Sequence, residues 1–107
     1  MLENKINRVL FLGSKLLGLR VLNEIYSISP KTLIGVLTIN DTNDTRNVFD
    51  GFQKFSNNYA VELHVADDRK HSEQIIHKLK PDLCIVVNWY WMISDALLDN
   101  VSNGFIG

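Results

Sequence analysis

The stretch Lys80-Pro-Asp-Leu-Cys-Ile-Val-Val-Asn-Trp-Tyr-Trp-Met-Ile93 decides how the rest of the chain is read. Leu83 to Val87 are five apolar residues in a row, three of them β-branched, entered through Pro81-Asp82. The run is too short for a helix and does not alternate, so it reads as a strand buried on both faces, the kind found inside parallel sheets. Asn88 and three aromatics, Trp89, Tyr90 and Trp91, follow where a strand-to-helix connection usually carries Gly, Ser or Asp. Ligands of open parallel sheets bind beyond the carboxyl ends of the strands, which places this loop where a ring-shaped ligand is expected. The same two tryptophans would equally serve to cap the core from above.

Working outward, Arg8 to Gly13 is a second apolar run, ending in a glycine suited to a tight turn that Ser14 can cap. From Lys15 to Ser29, Leu17, Val21, Ile25 and Ile28 recur at helical spacing, as the sheet-facing stripe of an amphipathic helix, until Pro30 stops the segment. Thr32 to Ile39 reads as the next strand, completing a right-handed crossover unit. Asn40 to Asn47 is a polar loop on the carboxyl side of that strand, where Asp41, Asp44 and Arg46 could touch a ligand or simply be solvated. Val48, Phe52, Phe55 and Tyr59 form a helical stripe expected in the core. Val61 to Val65 alternates, as an edge strand with one face near water does. Asp67 to His71 reads as a charged turn, and Ser72 to Lys80 as a short helix with Ile75, Ile76 and Leu79 inward. Ser94-Asp95 caps a further short helix, and Gly104-Phe105-Ile106 begins a fifth strand.

The 107 residues suffice for one domain. Eleven basic and twelve acidic residues leave a net charge of -1, and the basic ones are scattered, which argues against a nucleic-acid surface. The single cysteine, Cys84, sits in an apolar run and reads as a small buried hydrophobe, so a cytoplasmic setting is expected. No run has the length of a membrane span.

Gly13-Ser-Lys-Leu-Leu-Gly18, between a strand and a helix, invites an anion. It is not a phosphate-binding loop of the Walker type, and lysine at position 15 breaks Gly-x-Gly-x-x-Gly. Asp41 could serve a dinucleotide ribose, yet it lies farther from Gly13 than the about 20 residues such sites use. His64, His71 and His77 fall on a strand, a turn and a helix surface, without neighbours at metal-ligand spacing. No acid-base or nucleophilic constellation is visible.

Arg8 to Gly18, Lys80 to Ile93 and Gly104-Phe-Ile-Gly107, in that order and spacing, resemble the amino-terminal half of the formyltetrahydrofolate-dependent formyltransferases, and most nearly the sugar-nucleotide N-formyltransferases. The resemblance covers nearly the whole chain. It implies a Rossmann-like α/β/α fold with a parallel sheet of strand order 3-2-1-4-5. It implies binding of 10-formyltetrahydrofolate by Asn88, Trp89, Tyr90, Trp91, Met92 and Ile93. Gly13, Ser14 and Lys15 would then contact an amino-sugar nucleotide. In that family formyl transfer depends on an Asn, a His and a more distant Asp, and the Asn and His lie in a motif that begins where Gly107 stands. The resemblance therefore implies that residues 1–107 form an incomplete amino-terminal domain without the catalytic His and Asp, and that its unfinished sheet edge offers a route to a homodimer. Two other classes stay open: a nucleotide- or dinucleotide-binding module built on Gly13, Gly18 and Asp41, and a non-catalytic module that docks a protein through the aromatic loop.

Overall fold

A computed structural model describes residues 6–107. Strands β1 (Val9–Gly13), β2 (Leu33–Thr38), β3 (Leu63–Val65), β4 (Leu83–Val87) and β5 (Phe105–Ile106) pair in parallel in one sheet of order β3-β2-β1-β4-β5. Helices α1 (Lys15–Ile28), α2 (Phe49–Tyr59), α3 (Arg69–Leu79) and α4 (Asp95–Asn100) alternate with them. The Rossmann-like α/β fold and the strand order expected from the sequence are those observed. Among the described residues no helix is long and apolar enough to cross a membrane.

The unbroken apolar runs of β1 and β4 find apolar partners on both faces because strand side chains alternate. Val9 and Phe11 join Leu22 of α1 and Phe52 and Phe55 of α2 in one core. Leu10, Leu12 and Cys84 join Ile76 of α3 and Leu97 of α4 in the other. The sheet is thus the middle of three layers. Three residues at β3 mark the edge, where Glu62 faces water.

Two local expectations need correction. The buried side of α1 is centred on Gly18 and Leu22, while Leu17 and Ile28, expected inward, are 57% and 78% exposed. Gly18 faces the sheet, where a Cβ would sit 3.5 Å from the Val87 carbonyl oxygen, and this face leaves Leu17 on the flank of the helix. Second, α3 begins at Arg69 rather than Ser72. The Asp68 carboxylate accepts from the His71 backbone N–H at 2.7 Å, so the charged segment is an N-cap and a first helical turn. Its other end matches expectation, with Lys80 left-handed at φ 51° just before Pro81. Tyr59, at the end of the α2 stripe, is partly exposed but stacks on Tyr26 at 4.2 Å.

Candidate functional site

The chain leaves β1 toward β2 on one side of the sheet and returns through α3 to β4 on the other, so the carboxyl ends of β1 and β4 flank the topological switch point. Three strand ends are stitched together there. The Ser14 backbone N–H donates to the Val87 carbonyl at 3.2 Å, and the Thr38 hydroxyl donates to the Gly13 carbonyl at 2.6 Å. Ser14 occupies the N-cap position of α1, but its hydroxyl does not cap the helix. It donates instead to the Asn88 carbonyl at 2.7 Å. Gly13 is required by this closeness: a Cβ would meet the Val87 carbonyl oxygen and lie 2.7 Å from the Phe11 ring.

Both chains leaving the switch point turn through left-handed backbone, Lys15 at φ 64° and Asn88 at φ 52°. Such conformations cost about 1–3 kcal/mol at non-glycine residues and collect at functional sites. The turn at Lys15 points its side chain across the strand ends, where its ammonium bonds to the Asp41 carboxylate and the Tyr90 hydroxyl and lies 3.6 Å from Asp44. The Lys15 and Asp41 side chains are 12% and 6% exposed, so a buried carboxylate meets a half-buried ammonium. Lys15 lies 4.8 Å from the Tyr90 ring centroid while touching its hydroxyl, so it approaches the ring's edge and the hydroxyl carries the interaction. Burial opposes the lysine charge, but the hydrogen bonds to Asp41 and Tyr90 outweigh it and hold Lys15 above its usual range. The Arg46 guanidinium, hydrogen-bonded to Asp44 at 2.9 Å, holds that carboxyl well below the usual carboxylate range.

Beside this cluster opens a cleft of about 490 Å³, between the start of α1 (Ser14, Lys15, Leu16, Leu17) and the loop Asn88-Trp89-Tyr90, with Asp44 and Arg46 at its rim. Tyr90 divides it from a second hollow of about 590 Å³ over the loop after β2, bounded by Asn40, Asp41 and Thr45. Trp89 contributes to the cleft and also packs on the core below. Its indole N–H is buried and meets no acceptor among the described residues. Trp91 meets Trp89 edge to face, centroids 5.4 Å apart at 90°.

The structure therefore brings together Gly13, Ser14, Lys15, Asn88, Trp89 and Tyr90. It does not bring Trp91, Met92 and Ile93 to the cleft lining: Trp91 and Ile93 pack on the core, and Met92 is 83% exposed. His64 is half-buried on β3, and His71 and His77 lie on α3. At Gly107, where the resemblance expects Asn, a Cβ would meet the Val86 carbonyl and lie 3.3 Å from its Cβ. Sequence reading missed Thr38, whose only signal is a hydroxyl at the end of an apolar run. It also missed Glu73, which accepts hydrogen bonds from Ser94 and gives no local signal. Compared with known proteins, the sequence matches no protein-family model and no curated protein.

Proposed function

We propose that this chain is the cofactor-binding part of a formyltransferase that uses 10-formyltetrahydrofolate and acts on an amino-sugar nucleotide. One observation carries the reading: the aromatic loop after β4 forms a wall of the cleft at the switch point of a 3-2-1-4-5 sheet. The residues fit a pterin. Tyr90 is 48% exposed and offers ring surface, and Asn88 adds an exposed carboxamide. Trp89 adds part of its indole to the cleft wall. The cleft volume lies in the usual range for small-molecule sites.

When bound, the folate supplies the formyl group. These residues bind and orient it, and no proton transfer is assigned to them. Substrate contact falls to Gly13, Ser14 and Lys15, of which Ser14 and Lys15 line the opposite wall. The dinucleotide reading is less well supported, because the Asp41 carboxylate it needs is already bonded to Lys15.

Titration calorimetry with 5-formyltetrahydrofolate, a stable reduced folate, tests the proposal. Binding is expected in the parent chain, with affinity lowered about tenfold by Tyr90→Ala through lost aromatic contact. Absence of binding in the parent chain, or equal binding in Tyr90→Ala, contradicts it.

A further inference from the structure

The aromatic loop is fixed at both ends by side chains from elsewhere in the fold. At its entrance Ser14 holds the Asn88 carbonyl, as described above. At its exit the Glu73 carboxylate, on α3, accepts from the Ser94 backbone N–H at 3.0 Å through one oxygen and from the Ser94 hydroxyl at 2.8 Å through the other. The Ser94 hydroxyl oxygen in turn accepts from the Leu97 N–H at 3.4 Å, at the start of α4. Charge-assisted, two-point bonds of this kind set direction as well as position. Glu73 does not line the cleft beside Tyr90. Its one basic contact among the described residues, Arg69 at 3.4 Å, belongs to its own helix.

We propose that Glu73 is a positioning residue for the ligand-binding loop. It anchors Ser94 to α3, and thereby sets the path from Asn88 to Ile93 and the edge-to-face packing of Trp89 on Trp91. The inference rests on the folate reading for its consequence in binding, but the loop geometry itself can be read without any ligand. Trp89 and Trp91 are the only tryptophans in the chain. The exciton coupling between their two indoles in circular dichroism therefore reports this loop.

The test compares the parent chain with Glu73→Ala, Glu73→Gln and Arg69→Ala. Each is measured for the indole couplet, the affinity for 5-formyltetrahydrofolate and the thermal midpoint. Glu73→Ala should lose half or more of the couplet and bind the folate about tenfold more weakly at temperatures where it is fully folded. Glu73→Gln keeps one of the two acceptors for Ser94 and should fall between the parent chain and Glu73→Ala in both couplet and affinity. Arg69→Ala should leave both unchanged. An unaltered couplet and affinity in folded Glu73→Ala would overturn the proposal. Should that variant not fold, Glu73→Gln decides: an intermediate couplet with reduced affinity supports the role, and parental values for both overturn it. If the parent chain binds no folate, the functional reading fails and the couplet alone judges Glu73.

Discussion

Ser14 and Asn88 stand 74 positions apart in the sequence, yet the Ser14 hydroxyl donates to the Asn88 carbonyl at 2.7 Å and joins the start of α1 to the loop after β4. Ser14 is 1% exposed, and replacing it with Ala removes this bond between two chain segments. Ser14→Ala should lower the unfolding free energy by about 1–2 kcal/mol in urea titration. Ser14→Thr, which keeps the hydroxyl, should lose less.

The two glycines that flank the turn predict opposite outcomes. Gly13→Ala places a methyl against the Val87 carbonyl and the Phe11 ring, neither of which can withdraw without moving the sheet, and should cost about 2 kcal/mol or more. Gly18→Ala meets its nearest atoms at 3.5–3.7 Å, ordinary contact distance, and should be neutral or add up to about 1 kcal/mol through helix propensity. Thermal unfolding of both variants checks the pair.

Lys15→Met should cost about 1–3 kcal/mol, because it leaves the buried Asp41 carboxylate without its cation. Adding Asp41→Asn should recover part of the loss. The pH dependence has a definite sign. A lysine raised above 10.5 in the folded state contributes stability that is fully present below that value and is lost as pH rises through the folded one. The parent chain should therefore shed stability above about pH 10.5 more steeply than Lys15→Met, as read from urea midpoints across that range.

Burial pushes the Cys84 thiol up from 9.0 to about 12. Its contribution is intact below pH 9.0 and is lost as pH rises toward 12, where the unfolded chain ionises first. A thiol reagent at pH 8 should label the native chain only as fast as the chain opens, and in step with urea unfolding. Rapid labelling of folded protein would contradict the burial of Cys84.

The fold was legible because parallel strands are written as continuous apolar runs. Arg8 to Gly13 and Leu83 to Val87 could belong only to the middle of a covered sheet, and the alternating Val61 to Val65 only to its edge. Helix boundaries and faces were less so. The Asp68 cap of α3 is not followed by the Glu or Gln of a capping box, and the buried side of α1 is centred on Gly18, which has no apolar side chain to mark it. The strand-end residues Gly13, Ser14, Lys15 and Asn88 to Tyr90 could be nominated from position alone. Their partnerships could not: Lys15 with Asp41 and Tyr90, and Ser94 with Glu73, join side chains distant in sequence that only the assembled sheet brings together. Nor could the sequence choose between a ligand wall and a core cap for the tryptophans. Trp89 both lines the cleft and packs on the core, whereas Trp91 packs on the core.

The most direct test of the account is the tryptophan emission of the 107-residue chain during titration with 5-formyltetrahydrofolate, set against an unrelated aromatic compound of equal charge. With both tryptophans in the loop after β4, the account predicts saturable quenching by the folate, abolished or strongly weakened by Tyr90→Ala. Quenching no stronger and no more saturable than that of the control compound would contradict it.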